Sequence, residues 1–500
     1  MPKIIYQDFS GGVNTKLPSL ITQDVLLAQE ASNFFLTEAC LEKMGGYFSV
    51  LTTAIGAEIE GMFRFFTATG EELIICAGGK VYRLNGATVT QLYTGATAGG
   101  WYTGALYAGN LVLCNGKDLP LVYNGTTVVV ATVVDPSNLV TNVKPQYVAT
   151  YAGRLFYGWS ANAKNTIWTP TPNTFFNFSG TTFDILVVDG NGEITGLLPY
   201  FNQALAIYKT GCVRTLTGSV PFNLGGDYFR ISPVLDNAGC ISPKTLTAVD
   251  NTHWFLSIGG VIKLQPNNTS ADVDVLRPSY AVQPLFESMN MDGVVLKRNI
   301  AYYDEKRGQF VIGLCLNADT TVTDWLQIDT IKGACQFRRN FGKPTAFCVA
   351  YNSLFHGTST GQIYRHNTQP YANGLSYESK WESKFIAHGS LMHSKQYKGG
   401  ALTIEAKGSG NIFVDIIIKN DATETTKTYK VSFGDGDLLI WGVGQWGEKK
   451  WGSQKLNIRP LNGLGIGKAI KLRIRSLDPL SSLKIGAFEL DFDYLGDRPV

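Results

Sequence analysis

A unit of aromatic residue, tight turn and apolar strand recurs between residues 52 and 370, and it constrains the fold more than any other feature of the chain. It reads YAGNLVLCNG from Tyr107, YAGRLFYGW from Tyr151, YFNQALAIY from Tyr200 and YNSLFHG from Tyr351. A second unit runs glycine, strand, turn: GKVYRLNG from Gly79, GVIKLQPN from Gly260 and GQIYRHN from Gly361. Hairpin patterns such as YYDEKRGQFVIGLCL and WLQIDTIKGACQF lie among them. The intervals are irregular, at about 40 to 50 residues, which is the scale of a propeller blade. Strand pairs with two apolar faces are satisfied by stacking blade on blade around an axis. The pattern predicts an irregular β-propeller of about six to eight blades over 52–370, against the alternative of an elongated array of β-sandwiches.

The flanks differ from this middle. Residues 1–51 read as an extended arm, DFSGGVNTKLPSL, followed by a short helix in DVLLAQEASNFF with Asp24 at the capping position. From 371 to 500 the strands lengthen and alternate cleanly. KAIKLRIRS sets Ile470, Leu472 and Ile474 against Lys471, Arg473 and Arg475, and AFELDFDYL sets Phe488, Leu490, Phe492 and Tyr494 against Glu489, Asp491 and Asp493. These are half-buried antiparallel strands; if they pair with each other, their basic and acidic rows meet across the strands. The expected fold is all-β: a propeller, then a β-sandwich-like C-terminal domain, with the arm and short helix ahead of both.

The composition agrees, with 54 glycines, 12% aromatic and only 17% charged residues. A formal charge of +3 without long basic runs gives no nucleic-acid footprint. The opening MPKIIYQDFSGG has no basic stretch leading into an apolar one, and nowhere do about 18 apolar residues run together, so a soluble chain made in the cytoplasm without a membrane anchor is expected. Eight cysteines without a CxxC read as reduced core residues.

No set of residues converges on catalysis, and we expect no enzyme, no cofactor and no metal. Glu489, Asp491 and Asp493 read as a solvated strand face rather than as paired glycosidase carboxylates. DGNGEITG at Asp189 has alternating oxygen ligands but lacks the spacing and closing acid of a calcium loop, and reads as a polar turn. The five histidines show no metal-ligand spacing.

One stretch stands apart. WGVGQWGEKKWGS places Trp441, Trp446 and Trp451 five residues apart, a spacing that aligns rings on neither a strand nor a helix. It reads as an ordered loop. Its rings are candidates for contact with a neighbouring subunit or tail component, for filling the edge of their own domain's core, or for touching a host envelope.

The arm is where the chain resembles a known family. Its pattern of Phe9, Gly11, Gly12, Val13 and Asn14, then Glu30 and Asn33, then Leu41 and Gly45, is similar to the opening of tail proteins of tailed bacteriophages. With the propeller and a C-terminal β domain containing Trp-Gly repeats, the organisation resembles the tail nozzle or hub of short-tailed phages, also called the packaged-DNA stabilisation protein. The resemblance implies a virion protein that forms a homohexameric ring below the portal and its adaptor, beside tail fibres or tailspikes. Such a ring retains the packaged double-stranded DNA and conducts it out without reading its sequence. It also makes Phe9, Gly11, Gly12, Asn14 and the three tryptophans candidate interface residues. A near-neutral charge suits a DNA conduit, because each phosphate contact releases counterions and would slow ejection; a near-neutral or acidic channel lining is expected. The competing expectation is a tail-fibre or receptor-binding propeller reading host glycans, with Tyr157, Trp159 and Trp168 stacking on sugar rings.

Overall fold

Apolar runs in this chain reverse where the sequence supplies residues that accept a left-handed backbone. Ala108 and Gly109 (φ +46° and +73°), Ala152 and Gly153 (+48° and +70°), and Tyr351 and Asn352 (+48° and +58°) fill two-residue turns. Tyr107 is thereby paired with Asn110, Tyr151 with Arg154 and Ala350 with Ser353. Turns of this hand match the twist of the strands they join. The first recurring unit thus links the first two strands of a blade, while the second unit supplies the third strand, as in Lys80–Asn85, Gly260–Pro266 and Ile363–His366.

The computed structural model describes residues 3–21, 27–38, 40–200, 204–221, 224–266, 273–366, 372–389, 391–407, 410–421, 423–433, 457–477 and 482–495. Among the described residues, six separate four-stranded sheets, and four strands at one end of a larger sheet, make seven blades. In chain order they span 59–94, 103–130, 147–187, 194–235, 247–276, 300–339 and 346–366. The first strands of most neighbouring blades lie against one another, as in blades 2, 3 and 4 and in blades 5, 6, 7 and 1. The seventh blade takes its outermost strand from the other end of the chain: Tyr47–Ser49 pairs antiparallel with Ile363–His366, closing the ring. Between consecutive blades sit discrete apolar clusters, such as Phe65, Ile74 and Val81 against Tyr102, Leu111 and Tyr123, or Tyr157 and Trp168 against Val112 and Val122. Each large side chain buried there contributes roughly 1.5 to 3 kcal/mol.

The C-terminal domain has two sheets. In one, Lys395–Lys407 lies between Asn457–Gly467 and Ser482–Tyr494; in the other, Ala469–Ser476 lies between Gly410–Lys419 and Ser379–Ser383. Ile470, Leu472 and Ile474 of one sheet and Phe488, Leu490 and Phe492 of the other are buried in a shared core that runs on into blades 5 and 6. The alternation is as the sequence predicts, but the pairing is not. The two strands belong to different sheets, so their charged rows never meet. Lys471 and Arg473 reach Glu382 (2.9 and 2.7 Å) and Arg475 reaches Asp415 (3.0 Å) instead.

The expected helix within 24–35 is also corrected. Residues 22–26 lie outside the described residues, and from Ala28 onward the segment is two strands, Ala28–Ser32 and Phe34–Leu36. Asn33 between them has φ +59°, which a helix does not admit. Ala28–Ser32 fills the gap between Cys335–Arg339, the last strand of blade 6, and Ser379–Ser383 of the C-terminal domain. Pairing on both edges outweighs the weak local preference for a helix too short to hold itself. Through this inserted strand the sheet of blade 6 continues into the C-terminal domain.

Candidate functional site

The arm motif is built into the chain's own junction. Phe9 is fully buried, edge-on to Trp381 with ring centres 5.4 Å apart. Gly12 has φ +71°, and a Cβ there would stand 2.7 Å from the backbone nitrogen of Cys335, so backbone meets backbone only because the residue is glycine. That approach lets Val13 N–H donate to the Cys335 carbonyl (2.8 Å) and Ala28 N–H to the Gly12 carbonyl (3.0 Å). Asn14 donates its N–H to the Ala28 carbonyl, and its Oδ1 accepts from Lys16 and Leu17 N–H (3.1 and 3.0 Å). Gly11 is exposed. Four of the candidate interface residues therefore lie at or beside an internal weld, while Trp441, Trp446 and Trp451 lie outside the described residues.

Sequence reasoning gave Glu30 and Asn33 no role beyond the motif, yet they centre the weld. Asn33 Nδ2 donates to the carbonyls of Arg339 (3.1 Å) and Glu378 (2.7 Å), and its Oδ1 accepts from Arg339 N–H (3.0 Å). One buried side chain thus joins arm, blade 6 and C-terminal domain. Glu30 pairs with Arg339 of blade 6 and with Lys380 (2.5 Å). Nearby, burial pushes the Glu382 carboxyl up, but hydrogen bonds from Arg473 and Lys471 outweigh it and hold it at about 2.

A second concentration of polar groups rims the axis on the face where each blade hands over to the next. Glu58, Trp101, Lys144, Glu193, Lys244, Arg298 and Lys343 each come within three residues of the start of a blade's first strand. Groups from distant blades meet there: Lys244 Nζ stands 5.8 Å from the centre of the Trp101 ring, and Lys297 Nζ lies 3.6 Å from Glu193 Oε1. Glu193 also accepts from Trp159 Nε1 (3.1 Å) and pairs with Lys164 (3.2 Å); burial raises its carboxyl, but these partners bring it below the usual value. Burial pushes the Lys244 ammonium down to about 8, with Glu58 opposing.

The remaining candidates resolve into structure. The oxygens of the Asp189 turn are taken by the chain itself: buried Lys209 Nζ donates to the carbonyls of Val188, Asp189 and Gly190 (3.2, 2.9 and 2.8 Å), and Asp189 Oδ1 accepts from Arg214 (2.9 Å). An ammonium occupies the place a cation would take. Tyr157 and Trp168 are buried between blades 2 and 3, out of reach of a sugar, and Trp159 is held by Glu193. His253 bonds Tyr208, His356 bonds His366 (2.8 and 2.7 Å), and His388 bonds Tyr6, all in the interior. All eight cysteines are free, six of them buried. Among the described residues no cluster of three or more histidine, cysteine, aspartate or glutamate side chains suits a metal ion, and no helix is long and apolar enough to cross a membrane.

No family model matches this sequence, and no curated protein matches it either. Solved structures do match, at low identity. The extracellular domain of a hybrid two component system from B. thetaiotaomicron is 12% identical with a TM-score of 0.42; the match covers 71% of this chain and 42% of that one, less than half its length. BamB from Moraxella catarrhalis is 14% identical with a TM-score of 0.34, over 73% of this chain and 98% of that one. The β-propeller domain of Myceliophteria thermophila Cps50 (Swd1) is 9% identical with a TM-score of 0.40, over 64% and 99%. Likeness at this level concerns the fold alone. The chain is an all-β protein built on a propeller.

Proposed function

We propose that the chain is a structural virion protein, the tail nozzle or hub of a short-tailed bacteriophage. Copies form a ring below the portal and adaptor, retain packaged DNA and conduct it during ejection. The observation that carries this reading is the N-terminal pattern Phe9, Gly11, Gly12, Val13, Asn14, Glu30, Asn33, Leu41 and Gly45 ahead of a propeller and a C-terminal β domain. The position of those residues gives it physical support. They couple the two domains through a strand shared by both sheets, as a ring subunit that bears the pressure of a packed genome would require. The low formal charge of +3 suits a passage that must release DNA as well as hold it.

Mass photometry of the purified chain, alone and with portal-adaptor rings, tests the reading. A closed ring of the chain, or a monomer that assembles into one on the adaptor, is the expected result. A stable trimer, or a monomer indifferent to the adaptor, overturns it; selective signals on a glycan array would then move the assignment to a receptor-binding propeller.

A further inference from the structure

The loops that rim the axis enclose a small pocket. Glu58, Lys244, Arg298, Thr321, Lys343 and Ser359 line it, contributed by loops of blades 1, 5, 6 and 7. Three cations thus face one carboxylate. Their donors are largely unspent: Lys244 Nζ gives one hydrogen bond, to the Thr345 carbonyl (3.1 Å), and Arg298 Nη1 gives one, to the Thr320 carbonyl (2.8 Å). An ammonium has three donors and a guanidinium five. Among the described residues no ion pair within 4.0 Å joins Glu58 to any of the three. Elsewhere several cations are matched closely, Lys471 and Arg473 with Glu382, Arg475 with Asp415, and buried Lys209 with three carbonyls; at the mouth the half-buried Lys244 and the exposed Arg298 and Lys343 are not.

We propose that this pocket binds a phosphate group, either free phosphate or the terminal phosphate of a nucleotide. Three cationic heads and the hydroxyls of Thr321 and Ser359 offer more donors than the two oxygens of a carboxylate accept, whereas a tetrahedral anion takes them from several directions. Arginine beside lysine pairs planar two-point recognition with a compact point charge. This proposal does not depend on ring assembly.

Titration calorimetry of the full chain tests it, with inorganic phosphate, AMP and adenosine each added at constant ionic strength. One phosphate bound per chain is expected, and the double variant Arg298→Gln, Lys343→Gln should weaken it by about tenfold or more, the loss of two charge-assisted contacts. Both side chains are exposed, so the double variant should keep the parent's melting temperature; Lys343→Gln alone serves if it does not. Lys430→Gln, an exposed lysine far along the chain, should leave binding unchanged. AMP binding tighter than phosphate, with adenosine silent, identifies a nucleotide as the source; equal affinities identify free phosphate. Absence of binding by both phosphate and AMP, adenosine binding as well as AMP, or undiminished affinity in the variants overturns the proposal.

Discussion

The ring of blades and the arm junction are held together by different physics. A blade is a largely local object: apart from the closing strand of the seventh, its strands follow one another in sequence, several of its turns are two residues long, and between blades the contact is largely apolar. The junction is non-local and largely polar. Asn33 bonds residues more than 300 positions away, and Glu30, Glu382 and Asp415 each gather two or more cations. A propeller therefore tolerates irregular spacing, whereas the junction depends on a few side chains whose loss leaves buried partners unsatisfied.

The sharpest way to break the comparison is to remove one large ring from each region. Phe9→Ala in the junction and Phe156→Ala between blades 3 and 4 should each cost about 3 to 5 kcal/mol. Urea unfolding should nonetheless separate them. Phe9→Ala should split the transition as the C-terminal domain uncouples, while Phe156→Ala should shift one transition; coincident behaviour would mean that the arm is not the coupling element. Asn33→Ala comes next, at about 2 to 4 kcal/mol, since it removes a buried side chain that makes three hydrogen bonds across the junction and keeps a strained backbone. Asn33→Gly should recover only the backbone part, and full recovery would show that the side-chain bonds matter little.

Acid should act on both regions. Burial holds His388, beside the arm's Tyr6, down at about 4 and His356, in the closing blade, down at about 3, both from 6.5. Each ring is neutral in the folded state, so its contribution is complete above about 6.5 and declines as pH falls toward the folded value. For His388 the loss amounts to about 3 kcal/mol. The urea midpoint should fall from pH 7 to pH 4, and His388→Gln should flatten that slope; an unchanged slope would exclude His388 as a source. Glu382 resists longer, since its contribution is present above the ordinary carboxylate range and is lost only as pH approaches about 2. The smallest effect belongs to the exposed Lys419 and Glu424 pair (3.0 Å). Glu424→Gln should change stability by less than about 0.5 kcal/mol in thermal melts, and a larger change would show that exposed pairs also hold the C-terminal sheet.

Much of the blade architecture was legible in the sequence, because turn residues with positive φ and alternating apolar strands act over a few residues and leave a local trace. Tyr107, Tyr151 and Tyr351 marked real blade turns, and Gly79, Gly260 and Gly361 real third strands. The alternation of Ile470, Leu472 and Ile474 gave the buried face for the same reason. The sequence could not say which strands share a sheet, since pairing is decided by partners hundreds of residues distant. Only the tertiary structure turned the helix-like DVLLAQEASNFF into a strand between two domains, set Lys471 and Arg473 on Glu382 rather than on the acids of 482–494, filled the Asp189 turn with Lys209, and gathered Lys244, Arg298 and Lys343 at one mouth. Local rules write strands and turns into the chain; long-range closure decides what those strands and charges meet.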